Sequence, residues 1–163
     1  MALEIERKFL VCGEFRQDAF AADRIAQGYI CASRGRTVRV RIRSGKGYLT
    51  IKGPSADDGL SRYEWEREIP VDEAEELLKL SETPVIDKTR YLVRNTDGVH
   101  VWEVDEFHGA NEGLVVAEVE LSDADERFDR PLWIGREVTG ERKYYNSSLS
   151  TVPFSAWKDG MSE

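Results

Sequence analysis

The chain is poor in the residues that build the commonest metal and redox sites. Its 163 residues hold only two cysteines, Cys12 and Cys31, and two histidines, His100 and His108. No CxxC and no Cys/His zinc spacing occurs, which argues against a disulfide framework or a structural zinc. Both cysteines are therefore expected as small buried or half-buried side chains. There is no Walker loop, GxSxG or HExxH, so the P-loop, α/β-hydrolase and zincin templates lack support. No apolar run approaches the ~20 residues of a membrane helix. The opening Met1-Ala2-Leu3-Glu4-Ile5-Glu6-Arg7-Lys8 turns charged at once, unlike a secretory leader. A cytoplasmic protein without membrane contact is expected. Net charge is −8, which disfavours long-range steering toward nucleic acid and leaves room only for a short internal basic site.

What is present is alternation. Hydrophobic residues make up 40% and charged residues 33% of the chain, and the two classes interleave with period two in segment after segment. Leu3, Ile5, Phe9 and Val11 share one side against Glu4, Glu6 and Lys8. The same pattern predicts strands over Arg24–Ala32, Thr37–Arg43, Tyr48–Lys52, Ser61–Ile69, a segment carrying Lys88, Arg90, Leu92 and Arg94, Val99–Phe107, and Leu114–Leu121. Ser44-Gly45-Lys46-Gly47 and Asn95-Thr96-Asp97-Gly98 read as hairpin turns. Asp72 is placed as the N-cap of a short helix over Glu73–Leu80. A loop or helical segment is expected near Gly13–Asp23, a helical turn at Asp123–Phe128, a loop at Pro131–Gly135 and a C-terminal helix over Glu141–Leu149. About eight strands joined by short connections predict one antiparallel sheet, rolled up or closed, with a few outer helices: a mainly β member of the α+β class. Residues 1–150 are expected to form a single domain and 151–163 a loose tail.

A solvated sheet face also alternates, so the choice of polar residue carries the argument. Here it is almost entirely ionisable: Glu4, Glu6 and Lys8; Arg39, Arg41 and Arg43; Lys52; Glu64, Glu66 and Glu68; Lys88 and Arg90; Glu103 and Asp105; Glu118 and Glu120. Like charges two apart on a strand lie about 7 Å from one another, and leaving them unpaired is unfavourable. Repetition over many strands calls for an anion beside the basic groups and cations beside the acidic ones. In a closed barrel these side chains converge on one lumen. Arg and Lys bind phosphate oxygens, and carboxylates without histidine favour Mg²⁺ or Mn²⁺ over zinc. The two sets together suit a polyphosphate bridged to the protein partly through metal.

Glu4-Ile5-Glu6-Arg7-Lys8 resembles the ExExK signature of the CYTH superfamily, the triphosphate tunnel metalloenzymes. The likeness extends through Gln27-Gly28-Tyr29-Ile30, Arg39-Val40-Arg41, Thr50-Ile51-Lys52, Tyr63-Glu64-Trp65-Glu66, Asp87-Lys88-Thr89-Arg90-Tyr91, Glu103-Val104-Asp105, Ala117-Glu118-Val119-Glu120 and Tyr144-Tyr145-Asn146. The resemblance implies a closed eight-stranded antiparallel tunnel with a C-terminal plug helix. It implies Mg²⁺ or Mn²⁺ held by Glu4, Glu6, Glu118 and Glu120, with Asp105 as a further metal carboxylate. Lys8, Arg39, Arg41, Lys52, Lys88 and Arg90 are implied as phosphate ligands. Glu64 and Glu66 are implied, like Asp105, as further metal or water-positioning carboxylates of the catalytic set, with Lys88 near the reacting end; Tyr29 either meets Lys88 there or is a plain wall tyrosine. Arg43 and Glu68 are expected at solvated strand ends and Glu103 at the mouth. The family pattern leaves open whether Arg142 or Lys143 reaches inward.

The expected function is metal-dependent hydrolysis of a small-molecule linear triphosphate, tripolyphosphate to pyrophosphate and phosphate, by a monomer or homodimer. The same phosphate ligands would serve a class IV-type adenylate cyclase or a thiamine or nucleoside triphosphatase. A non-catalytic polyphosphate- or nucleotide-binding protein would need the basic residues without the paired carboxylates.

Overall fold

A computed structural model describes residues 3–56 and 59–157. Strands β1 (Leu3–Val11), β2 (Ala19–Ser33), β3 (Arg36–Arg43), β4 (Lys46–Lys52) and β5 (Ser61–Ile69) come first. Helix α1 (Val71–Leu78) follows, then β6 (Ile86–Arg94), β7 (Val101–Phe107), β8 (Val115–Glu120), β9 (Ile134–Glu137) and α2 (Asn146–Thr151). The order across the sheet is β5-β4-β3-β2-β6-β7-β8-β1-β9, and β5 pairs back onto β1. That last pairing closes an eight-stranded antiparallel barrel through Leu3↔Tyr63, Glu4↔Arg62 and Ile5↔Ser61. β9 hangs outside it on β1, through Phe9↔Glu137 and Val11↔Ile134.

Local chemistry sets these elements. Ser44 (φ 52°) and Gly45 (φ 74°) make a two-residue turn with both residues in the left-handed region, which matches the twist of β3 and β4. Helix α1 lies on β2, β3 and β4, with Ala74 wholly buried. A Cβ at Gly47 would stand 2.6 Å from that of Ala74, so the close approach of helix to strand requires glycine there.

The barrel has two apolar clusters. One covers its outer wall, where Phe9, Val93, Trp102, Val104 and Val119 meet Phe15 and Trp133 from the connecting loops. The other fills one end of the lumen. Along the inward faces, period two carries Lys8 to Leu10, Lys88 to Ile86, Asp105 to Phe107 and Glu118 to Val116. These four apolar side chains cluster with Val138, Tyr144 and Leu149. A charged cavity therefore rests on an apolar floor, and the C-terminal segment supplies part of that floor.

Several expectations are corrected. β2 begins at Ala19 rather than Arg24, because after a 3₁₀ turn over Arg16–Asp18 the chain pairs at once with β6. Pro131–Gly135 is not all loop; β9 starts inside it. Residues 123–128 form bends and a turn but no helix. Pro70, not Asp72, caps α1; Asp72 lies in its first turn and accepts the Glu73 N–H. The single helix expected over Glu141–Leu149 is a 3₁₀ turn (Arg142–Tyr144), an extended Tyr145 and then α2. Residues 151–157 are not loose, since Phe154 and Trp157 pack on the floor cluster; the rest of the expected tail lies outside the described residues. Cys12 and Cys31 are both exposed. Cys12 follows the last residue of β1, and Cys31 follows an irregularity in β2 after Tyr29.

Candidate active site

The charged ends of the strands enclose a cavity of about 270 Å³. β1 contributes Glu4, Glu6 and Lys8; β2 Tyr29; β3 Arg39, Arg41 and Arg43; β4 Lys52; β5 Arg62, Glu64 and Glu66; β6 Lys88 and Arg90; β7 Glu103; and β8 Glu118 and Glu120. Thirteen of the fourteen residues singled out from the sequence meet here, Asp105 being the exception. Arg43 and Glu103, expected at the rim, line the cavity as well. Glu68, Arg142 and Lys143 do not; the Lys143 ammonium instead lies 4.7 Å from the Trp157 ring centroid. Thr37, Ser55, Thr139, Tyr145, Asn146 and Ser147 were missed as wall residues. Ser55, Thr139 and Tyr145 come from irregular segments, which carry no period to read, Asn146 and Ser147 from the first turn of α2, and Thr37 from the start of β3.

Asp105 is on the inward face of β7 but is buried beneath the cavity instead of lining it. Its Oδ1 accepts Arg90 Nε at 2.8 Å, and its Oδ2 accepts Arg90 Nη2 at 2.9 Å and Lys88 Nζ at 2.7 Å. Both oxygens are engaged by cations, which hold this carboxyl well below its usual range against the upward push of burial. Lys88 is also bound by Asn146 Oδ1 at 3.0 Å. Burial, with Arg90 adding, brings the Lys88 ammonium down to about 7 although Asp105 opposes the shift. The Tyr29 hydroxyl accepts a hydrogen bond from Gln27 Nε2 at 3.2 Å.

The basic groups fall into two kinds. Lys8 lies 3.3 Å from Glu118, and Lys52 lies 3.0 Å from Glu4. Arg39 and Arg41 are less well matched: their nearest carboxylate, Glu66, stands 3.5 and 3.7 Å away. Among the described residues the Nε of each is buried without a hydrogen-bond partner. Burial, Arg39 and Arg90 depress the Arg41 guanidinium to about 10. A buried N–H left unpaired costs about 1–3 kcal/mol, and here the cost falls on two adjacent cations facing a cavity. An anion in the cavity would offset the charge of the pair.

The carboxylates show the converse. Glu6 stands directly opposite Glu120 across β1 and β8. Burial, Glu118 and Glu4 raise the Glu6 carboxyl well above its usual range. Burial and Glu4 also raise Glu120 and Glu64. For Glu118 burial pushes upward, but Lys8 and Arg90 prevail and hold it at about 2. Glu66 is likewise lowered despite burial, by the Thr50 hydroxyl and Arg41.

A family model described as the CYTH domain matches residues 2–155. The chain belongs to the CYTH family. Among the relatives of this CYTH chain, an inorganic triphosphatase of Acetivibrio thermocellus is 49% identical over 160 residues, covering 98% of this chain and 100% of the relative. An inorganic triphosphatase of Nitrosomonas europaea is 36% identical over 150 residues, covering 90% and 96%. A crystal structure of an inorganic triphosphatase superposes with a TM-score of 0.62 at 32% identity, covering 90% of this chain and 97% of that one.

The family implies a metal, and the donors of this CYTH barrel fit a hard divalent ion. They are carboxylates only, and Glu6, opposite Glu120 in the ladder, is raised by burial, Glu118 and Glu4, a crowding of carboxylates that a cation would relieve. Among the described residues no group of three or more His, Cys, Asp or Glu side chains is already gathered to hold a metal by itself. Ions of the magnesium type commonly take a few carboxylates and complete their shell with water and phosphate oxygens.

Proposed function

We propose that this CYTH protein hydrolyses a linear inorganic triphosphate. The observation that carries the reading is that Arg39 and Arg41, whose nearest carboxylate stands 3.5 and 3.7 Å away, line one cavity with the carboxylates of β1 and β8. Arg39, Arg41, Lys8, Lys52, Lys88 and Arg90 bind the phosphate oxygens, arginine through its planar fork and lysine as a compact charge. Glu4, Glu6, Glu118 and Glu120 would hold Mg²⁺ or Mn²⁺, which supplies Lewis-acid polarisation of a phosphoryl oxygen when bound. Asp105 is reassigned from metal ligand to the group that orients Arg90 and Lys88.

In the reaction a water oxygen bonds to a terminal phosphorus and a bridging P–O bond breaks, giving phosphate and pyrophosphate. Glu66, kept ionised by its neighbours, and Glu64 are the carboxylates placed to orient that water. Lys88, with its ammonium near 7, exchanges a proton readily at neutral pH and serves the reacting end; Tyr29 lines the same cavity. Phosphoryl transfer asks mainly for positioning and charge neutralisation, which this wall supplies. The lining offers few apolar surfaces, chiefly Leu60, Tyr29 and Tyr145, and Tyr145 already faces Lys8 at 5.2 Å. That favours a bare phosphate chain over a nucleotide whose base needs a stacking shelf. No helix of the described residues is long and apolar enough to cross a membrane. The free, exposed thiols suit the reducing cytoplasm.

The test is incubation of the purified protein with tripolyphosphate and with ATP, each with Mg²⁺, with Mn²⁺ and with chelator, resolving all products. Metal-dependent phosphate and pyrophosphate from tripolyphosphate, with ATP much slower, is the expected result. Cyclic AMP and pyrophosphate from ATP would make it a cyclase, and no product from either would leave a binding protein.

A further inference from the structure

Thr50 does not line the cavity, yet it sits between two residues that do. It is wholly buried at the centre of a row across three strands, opposite Arg39 on β3 and opposite Glu66 on β5. Arg39 Nη2 donates to Thr50 Oγ1 at 3.2 Å, and Thr50 Oγ1 lies 2.5 Å from Glu66 Oε1. A guanidinium has donors and no acceptor, so toward Arg39 the hydroxyl can only accept. Its one proton then goes to Glu66. The chemistry fixes the direction of this relay without any hydrogen being seen.

The alternative arrangement for facing Arg and Glu residues is a bidentate fork, which consumes two donors and both carboxylate oxygens. Here the closest direct approach of Arg39 to Glu66 is 3.5 Å, beyond a good hydrogen bond. One N–H and one carboxylate oxygen are held by the hydroxyl, and the Arg39 Nε–H remains buried with no partner among the described residues. We propose that Thr50 is a positioning residue of the phosphate site: it anchors Arg39 and Glu66 by one atom each and keeps them from neutralising one another, so their remaining polar atoms serve the anion and the water. This deepens the triphosphatase reading and rests on it for the identity of the ligand. A threonine kept merely for strand propensity would make none of these demands, since valine is β-branched, of similar shape and equally suited to a strand.

The experiment compares wild type with Thr50→Val and Thr50→Ser. Affinity for tripolyphosphate is measured by calorimetry in chelator, and kcat and KM are measured with Mn²⁺. Thr50→Val is expected to bind tripolyphosphate roughly 10- to 100-fold more weakly, the size of a lost hydrogen bond to a charged group. Its kcat should fall as well, because Glu66 loses its anchor. Thr50→Ser keeps the hydroxyl and should stay within about threefold of wild type on both readouts. Thermal unfolding of each variant shows whether it folds; if Thr50→Val does not, Thr50→Ala against Thr50→Ser makes the same comparison. Wild-type affinity in Thr50→Val, or a Thr50→Ser variant as weak as Thr50→Val, would overturn the proposal. A wild type that binds tripolyphosphate without cleaving it would remove the hydrolase reading and leave the Thr50 assignment to the binding data.

Discussion

Glu6 and Glu120 occupy directly opposed positions on neighbouring strands, one carboxylate facing another across the β1–β8 ladder. Burial and the nearby Glu118 and Glu4 raise Glu6, so an ionised Glu6 opposes folding unless a cation sits with it. In chelator, Glu6→Gln should therefore raise the melting temperature. A cross-strand like-charge contact costs roughly 0.2–1 kcal/mol, which corresponds to about 1–3 °C in a chain of this size. Added Mn²⁺ should raise the melting temperature of wild type and leave that of Glu6→Gln nearly unchanged, with turnover abolished. Equal metal-induced stabilisation of both proteins would remove Glu6 from the metal site.

Asp105 points inward like the cavity glutamates, yet it is buried beneath the cavity, where it serves two cations. Asp105→Asn leaves Arg90 and Lys88 buried without their shared anion. Removing one partner of a buried pair typically costs about 3–5 kcal/mol, to be read by urea denaturation in chelator. Mn²⁺ affinity, measured by calorimetry on the folded fraction, should change less than threefold if Asp105 is not a ligand. A loss of metal affinity with stability intact would restore it to the metal set.

The barrel was legible because alternation with ionisable partners persists over eight strands, and because glycine turns such as Ser44-Gly45 set hairpin register. Depth along the lumen was not. Asp105 and Glu118 look alike in the sequence, and only the register shows that Asp105 pairs beside Arg90 while Glu118 looks into the cavity. The change from charged to apolar along the inward faces, Lys8 to Leu10 and Lys88 to Ile86, is visible in the letters. Its meaning as a floor depends on antiparallel strands ending at one level, which single-strand patterns do not state. β9 escaped because it spans only Ile134–Glu137, too few residues for a period to emerge after Pro131. Thr139 reaches the site from irregular backbone and Asn146 from the first residue of the short helix α2, where residue type alone distinguishes nothing.

Arg41 and Arg43 lie on one face of β3, but their surroundings predict different roles. The Arg41 side chain is 9% exposed, with a loose partner at 3.7 Å, whereas that of Arg43 is 32% exposed and pairs with Asp23 at 3.6 Å. Arg41→Ala should weaken tripolyphosphate binding in chelator roughly 10- to 100-fold, the range for a charge-assisted hydrogen bond in a dry site. Arg43→Ala should weaken it less than about threefold, as exposed pairs contribute little. Comparable losses would place the anion across the mouth instead of deep in the lumen.

His100 closes a clasp on the outer wall, where pH dependence can be read apart from the metal site. Its Nδ1 meets Asp97 Oδ2 at 2.7 Å and its Nε2 meets the Glu126 carboxylate, with the Phe128 ring centroid 6.1 Å away. A neutral imidazole has one N–H, so both contacts are satisfied together only by the protonated ring. Burial pushes His100 down, but hydrogen bonds to Asp97 and Glu126 prevail and raise it. Its contribution to stability is therefore full below its ordinary value near 6.5 and is lost as pH rises through the raised one. Asp97 is lowered by backbone and His100 hydrogen bonds against burial, and Glu126 is lowered chiefly by the Ser122 N–H. Their contributions are present above the ordinary carboxylate value near 4 and fade as pH falls. The clasp is thus strongest between those limits. Melting temperatures taken from pH 5 to pH 9 should decline on the alkaline side more steeply for wild type than for His100→Gln, whose neutral amide cannot lose a proton there. Parallel curves for the two proteins would show that His100 carries no charge in the clasp.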